Sequence, residues 1–175
     1  MIYIQFITEE NKADLRLPNE PFMLFGRMRP SYQEGVWRYT TEPLPALRQE
    51  HYPEEGYDYD KMKADHVAFA AYDGDTCVGL AILRHEWHKY LYLLDLKVNS
   101  SHRRQGVGAM LMEKAGEYAV NAGYRGIWTV GQDTNLAACL FYIKNGFSIG
   151  GLDTRVYDGT GQAGTADIHF YKALI

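Results

Sequence analysis

Leu93-Leu94-Asp95-Leu96-Lys97-Val98, then Asn99-Ser100-Ser101-His102-Arg103-Arg104-Gln105-Gly106-Val107-Gly108, is the stretch whose reading settles the fold. Its first part belongs to a nearly continuous apolar run, Tyr90 to Val98, which reads as a strand buried on both faces. A polar, glycine-bearing turn follows. Val107, Leu111, Ala115, Tyr118 or Ala119, and Ala122 then recur at helical spacing. The spacing predicts a helix from about Gly106 to Ala122, closed by Gly123. A strand therefore feeds a glycine turn that opens a helix. The first amides of a helix lack an internal partner, and the helix dipole adds partial positive charge there. Glycines let the backbone approach an anion closely. Arg103 and Arg104 add full charges. In physical terms this is a pyrophosphate cradle. It is not the nucleotide P-loop, which needs Lys-Ser/Thr where Ala109-Met110 stand. Nor is it the dinucleotide fingerprint, because Leu111 occupies the place of the third glycine.

Outward from this segment the chain alternates strands and turns. His66 to Tyr72 and Cys77 to Arg84 read as strands joined by the Asp73-Gly74-Asp75 turn. On the C-terminal side, Ile127 to Val130 is a strand. Asp133 or Thr134 can cap a helix from Asn135 to about Lys144, ended by Asn145-Gly146. Phe147–Ile149 and Ile168–Leu174 fit two final strands. On the N-terminal side, Ile2 to Ile7 is a strand and Thr8 to Leu17 a short helix closed by Pro18. Phe22–Met28 and Val36–Thr40 are two short strands. Glu42 to Asp65 holds seven acids, three Lys/Arg and three prolines, so a long loop with a helical piece is expected there. Antiparallel strands come first, then strand–helix–strand–helix–strand. The expected class is therefore mixed α+β.

Composition limits the chemistry. The chain has 175 residues, 46% of them hydrophobic and 23% charged, which is enough for one domain with a real core. Its net charge of -4 argues against nucleic acid as a partner. Residues 1–65 hold 12 acids against 8 Lys/Arg, whereas 66–175 hold 10 of each, so the excess sits entirely in the first part. Cys77 and Cys139 are too few for a disulfide framework and match no metal spacing, which suits a reducing, cytoplasmic compartment. Met1 to Glu10 has neither the basic start nor the apolar run of a signal peptide, and no stretch approaches 18 apolar residues, so no membrane partner is expected.

Arg103-x-x-Gly106-x-Gly108 after a strand resembles the acetyl-CoA loop of the GCN5-related N-acetyltransferases (GNAT). The segment Asn135-Leu136-Ala137-Ala138-Cys139-Leu140-Phe141-Tyr142-Ile143-Lys144-Asn145-Gly146-Phe147 resembles that superfamily's second signature. Pro18-Asn19-Glu20-Pro21-Phe22, Trp37, Gln132-Asp133-Thr134-Asn135 and Ile149-Gly150-Gly151-Leu152-Asp153-Thr154 are similar to segments of streptothricin acetyltransferases. The resemblance implies one GNAT domain over 1–175. Residues 1–65 would face the acceptor, 66–150 would form the acetyl-CoA core, and 151–175 would hold the C-terminal strands. The sheet would be mostly antiparallel and flanked by helices. The strands matching Tyr90–Val98 and Ile127–Val130 would run parallel and splay, to admit the pantetheine arm.

The same resemblance implies the residue roles. Leu96 and Val98 would pair with pantetheine through their backbone. Arg103, Arg104, Gln105, Gly106, Val107 and Gly108 would hold the pyrophosphate, and Asn135 would contact the pantetheine arm. Acetyl-CoA is then the co-substrate, with no metal. The reaction is attack of a neutral amine on a thioester, and a free alkyl amine has a pKa near 10. A backbone N–H at Val98 would stabilise the oxyanion. Tyr142, seven residues after Asn135 on one helical face, would donate a proton to the leaving thiolate. Many relatives carry a carboxylate where Leu94 stands, so the base is left between Asp95 and a water relay, with Glu86 third. Strand alternation would send Asp95 to the face opposite Leu94.

The expected partner is a cationic small-molecule amine, in the first instance the β-lysine tail of streptothricin, whose acetylation would give antibiotic resistance. Glu20, Asp58, Asp60, Asp133 and Asp153 could select its charge, with Tyr57, Tyr59 or Tyr157 stacking or hydrogen bonding. The rivals are transfer to protein N-termini, lysine or polyamines, or a non-catalytic acyl-CoA sensor. The acids could equally form a solvated face. His85-Glu86-Trp87-His88 has its histidines three apart rather than four, so surface or turn histidines are expected there. Trp37, Trp87 and Trp128 are expected in the core or a pocket wall, and Cys139 as a packed small residue. The oligomeric state, monomer or homodimer, is left open.

Overall fold

Short apolar runs and glycine turns build most of the chain, as a computed structural model describing residues 1–175 shows. In chain order the elements are β1 (Ile2–Phe6), a 3-10 turn (Lys12–Arg16), β2 (Phe22–Gln33), β3 (Val36–Glu50), α1 (Tyr59–Met62), β4 (His66–Asp73), β5 (Thr76–Arg84) and β6 (Tyr90–Val98). A second 3-10 turn (Ser100–His102) follows, then α2 (Val107–Asn121), β7 (Gly126–Gln132), α3 (Leu136–Lys144), β8 (Ser148–Asp153) and β9 (Asp167–Ala173). Two units form. The first is Met1–Glu20, His51–Ile127 and Leu174–Ile175, and the second is Pro21–Glu50 and Trp128–Ala173. The class is α+β, with antiparallel strand pairs flanked by helices. No helix is long and apolar enough to cross a membrane.

In the first unit, β1, β4, β5 and β6 lie side by side in that order, each pair antiparallel. Strand alternation gives this sheet two apolar faces. On one, α2 buries Val107, Leu111, Met112, Ala115 and Ala119. Gly79 of β5 allows that approach: a Cβ there would meet the Lys97 backbone oxygen and the Leu111 side chain, both at 3.2 Å. On the other face, Ile7, Leu15, Leu17, Ala68, Ala70, Tyr72, Leu80 and Ile82 form a core, with Tyr57, Tyr59, Met62 and Leu94 packed against it. The helix expected over Thr8–Leu17 shrinks to the 3-10 turn. In β6 only Leu91 and Leu93 are fully buried, so the strand is not buried on both faces throughout.

In the second unit, β9 lies between β7 and β8, while β2 and β3 form a separate two-stranded ribbon. Its turn is Glu34-Gly35, both with positive φ (53° and 78°), which suits a two-residue hairpin joining Gln33 to Val36. Residues 42–50, expected in a loop, are strand. Pro30, Pro43 and Pro45 suggest otherwise in sequence, but a two-stranded ribbon has a free edge on each strand, where a missing N–H is tolerated. Leu24, Gly26 and Met28 alternate on the buried side of β2. A Cβ on Gly26 would lie 2.4 Å from Leu136 Cδ2 and 3.1 Å from the Glu42 oxygen. Gly26→Ala is therefore expected to cost about 1–3 kcal/mol through overpacking, read as a lower urea midpoint; an unchanged midpoint would show that Leu136 of α3 yields freely.

Trp87 departs from its expected burial, being 94% exposed. Trp128 stacks on Tyr171 (centroids 5.8 Å apart), and Trp37 packs on Tyr32 at 4.9 Å.

Candidate active site

The segment expected to hold a pyrophosphate follows β6 within the first unit. After the Ser100–His102 turn, Arg104 (φ 60°) and Gly106 (φ 84°) adopt left-handed backbone, and α2 begins at Val107. No side chain caps the first turn of α2, and no acid stands in it. Its leading amides are thus left to an external anion. The loop is braced from within. Arg103 Nε donates to the Val98 carbonyl (3.0 Å), and Gln105 Nε2 donates to the Ser101 carbonyl (2.8 Å). The Ser100 N–H donates to Glu20, whose Oε2 also lies 3.6 Å from Arg103 Nη2. Glu20, expected at the acceptor, is thus engaged with this loop. Arg104 and Gly106 remain exposed. Leu96 and Val98 face Ala81 and Gly79 of β5 in register.

A β-bulge breaks the alternation of β6. Leu83 faces Leu93 and Ile82 faces Asp95, so Leu94 is the surplus residue. Asp95 and Lys97 therefore share the side of their partners Ile82 and Leu80, and Leu94 packs against that same core. The expectation that Asp95 and Leu94 point to opposite faces is corrected by this bulge.

Around Asp95 lies a cluster that the sequence shows only in part. Tyr57 Oη donates to Asp95 Oδ2 (3.0 Å), and Lys97 Nζ lies 3.5 Å from the same oxygen. Lys97 Nζ donates to Asn19 Oδ1 (2.8 Å), the Leu17 carbonyl (3.1 Å) and Glu55 Oε2 (3.3 Å), and sits 5.6 Å from the Tyr57 ring centre. Asn19 Nδ2 in turn donates to Glu55 Oε1 (2.9 Å). Burial pushes the Asp95 carboxyl above the usual carboxylate range, opposed by Lys97 and reinforced by Glu55. Burial also works to raise Glu55, but the Asn19 amide, its own backbone and Lys97 hold it low. Burial and the Asp95 charge push the Tyr57 hydroxyl well above its ordinary value. Lys97 had a signal in sequence, standing two residues from Asp95 on one strand face. Asn19 and Glu55 had none, because distant segments bring them in.

The second unit holds the other expected groups. Asn135 itself caps α3, its Oδ1 accepting from the Ala138 N–H (3.2 Å), where Asp133 or Thr134 was expected. Its side-chain amide N–H groups take no part in that cap. Tyr142 is half-buried on α3, its ring seated among Phe170 (5.3 Å), Phe147 (5.4 Å) and Phe141 (5.6 Å). Cys139 is fully buried, and burial pushes its thiol up to about 12, which fits a packed residue and not a nucleophile.

The remaining acids are engaged locally. Asp133 is buried: Oδ1 accepts from the Ala166 N–H (3.0 Å) and Oδ2 lies 3.1 Å from Arg27 Nε. That contact is an ion pair without hydrogen-bond alignment. Asp58 caps α1 through the Asp60 N–H, and Asp60 pairs with Lys63 and Lys12 on the exposed surface. Asp153 accepts from the Arg155 and Val156 N–H groups. Tyr157 Oη donates to Asp167 Oδ1 (2.7 Å) and accepts from Gln132 Nε2 (2.8 Å). Glu86 is held by Arg84 (2.7 Å) and His88 (3.1 Å), and the hydroxyls of Tyr124 and Tyr118 meet the two ring nitrogens of His85. No group of three His, Cys, Asp or Glu side chains is arranged to hold a metal.

The model of the acetyltransferase (GNAT) family matches residues 32–147. Streptothricin acetyltransferase A of Bacillus subtilis (strain 168) is 35% identical over 169 residues, covering 96% of this chain and 98% of the relative. Streptothricin acetyltransferase of Streptomyces lavendulae is 34% identical over 110 residues, 63% of this chain and 57% of that one. A solved Bacillus anthracis (str. Ames) protein, assigned as a streptothricin acetyltransferase and in complex with acetyl coenzyme A, superposes with a TM-score of 0.88 at 27% identity, covering 100% of this chain and 99% of its own. A strand that delivers an uncapped helix start beside two arginines and the matched family signature lead to one conclusion: the chain belongs to the GNAT family and is an acetyl-CoA-dependent N-acetyltransferase.

Proposed function

We propose that this enzyme acetylates a primary amine of streptothricin and so removes a positive charge that the antibiotic needs. The observation that carries this is the full-length similarity to the B. subtilis streptothricin acetyltransferase. The acetyl donor fits the first unit: the amides of Gln105–Gly108 and the charges of Arg103 and Arg104 hold the pyrophosphate, and the uncapped start of α2 suits that anion. Leu96 and Val98 offer backbone groups to the pantetheine arm, and Asn135 an amide N–H.

The acceptor arrives as an ammonium and must lose a proton before it can attack. Asp95 takes that proton, and its buried setting raises its affinity for it. Tyr142 gives a proton to the departing thiolate. Asp95 and Glu55 together face the single cation Lys97, and that net negative charge suits a cationic acceptor, while Asp58, Asp60, Asp133 and Asp153 serve capping and ion pairing.

Purified protein with acetyl-CoA and a thiol reagent, run against streptothricin, polyamines and peptides, tests the acceptor. CoA release is expected with streptothricin. Release with peptides or polyamines and none with streptothricin would overturn the assignment.

A further inference from the structure

We propose that Lys97 is a positioning residue for acetyl transfer: its ammonium, anchored by Leu17, Asn19 and Glu55, keeps the Asp95 carboxylate ionised and ready to accept the acceptor's proton. This inference rests on Asp95 being the base.

Anchoring comes first. A lysine ammonium has three N–H donors. The Leu17 carbonyl (3.1 Å), Asn19 Oδ1 (2.8 Å) and Glu55 Oε2 (3.3 Å) are the nearer acceptors, with Asp95 Oδ2 outside them at 3.5 Å. Lys97 thus acts on Asp95 through its charge and leaves the carboxylate its lone pairs. Both contacts to Asp95, from Tyr57 and from Lys97, fall on Oδ2. Oδ1 is the oxygen left to take a proton.

Charge comes second. The groups that face Asp95 are Tyr57, Glu55 and Lys97, with Tyr92 beside Tyr57 and the apolar Ile82 and Leu80 in the paired strand. Burial and Glu55 both favour the protonated acid, and Lys97 is the cation that opposes them. Without it, burial and the neighbouring carboxylate would both favour the protonated acid, the form that cannot receive a proton. Lys97 is itself only 13% exposed on its side chain, so solvent screens this interaction weakly.

The test is the pH dependence of kcat/KM, with the amine that the acceptor panel selects, for the native enzyme, Lys97→Met, Lys97→Arg, Glu55→Gln and Asp95→Asn. Lys97→Met is expected to move the acidic limb up by about one pH unit or more. Each unit is roughly a tenfold loss of activity on the acid side of the limb. Lys97→Arg should return the limb toward its native position. Glu55→Gln should move it down by removing the charge that favours the protonated acid, and Lys97→Gln, which is neutral but keeps hydrogen-bond donors, should move it up where Lys97→Met fails to fold. Acetyl-CoA binding, followed by calorimetry, should not change in any of them. A Lys97→Met enzyme that loses activity equally at every pH, or a Glu55→Gln limb that stays put or rises, would overturn the proposal. Asp95→Asn tests the underlying reading separately: should it keep both the acidic limb and near-native activity, the base lies elsewhere.

Discussion

Tyr142→Phe is expected to lower kcat by about two to four orders of magnitude while leaving acetyl-CoA binding nearly unchanged. The substitution removes one oxygen and keeps the ring, so the contacts with Phe141, Phe147 and Phe170 persist. What disappears is a hydroxyl proton for the sulfur as the thioester breaks. A thiolate is a moderately good leaving group on its own, with a thiol pKa near 8.5, which is why the loss should be large but incomplete. Pre-steady-state CoA release separates this from a structural role. If Tyr142 only shapes its surroundings, the variant loses acetyl-CoA affinity or melts earlier, and kcat at saturation stays near native.

Asp133→Ala is expected to cost about 3–5 kcal/mol of stability, a fall in Tm of roughly 6–20 °C for a chain of this size. Arg27 is largely buried beside Asp133, and its Nη2 donates to the Gly164 carbonyl (2.7 Å). Removing the carboxylate leaves that guanidinium charge without its counter-ion and the Ala166 N–H without its acceptor. The double variant Arg27→Met with Asp133→Ala should recover part of the loss, because the uncompensated charge goes with it. Were Asp133 instead an acceptor-binding group, the single variant would raise KM for the amine and leave the melting temperature unmoved.

The strand–turn–helix proposed to hold the cofactor was readable in sequence because its pattern is local. A strand, two arginines, two glycines and a helical period lie within Tyr90–Ala122, and the folded chain keeps them in that order. The helix that carries Tyr142 was readable for the same reason, through an unbroken helical signature. The acceptor side was not. Its acids look alike in sequence, and only folding separates Asp133, buried in an ion pair, from Asp60, exposed among lysines. The prolines of 42–50 pointed to a loop because periodicity cannot report that a ribbon has two free edges. Asn19 and Glu55 reach Lys97 from segments 78 and 42 residues away, a separation no local pattern records.

The bulge at Leu94 has a consequence for where a substitution places a functional group. In a regular strand, moving a functional group one position along the chain carries it through the sheet to the far side. Here positions 94 and 95 both lean toward the core of Leu80 and Ile82. Neighbouring codons therefore address nearly the same place in space. A carboxylate at either position would lie on the same side of the sheet, so a leucine at 94 leaves that side open to Asp95.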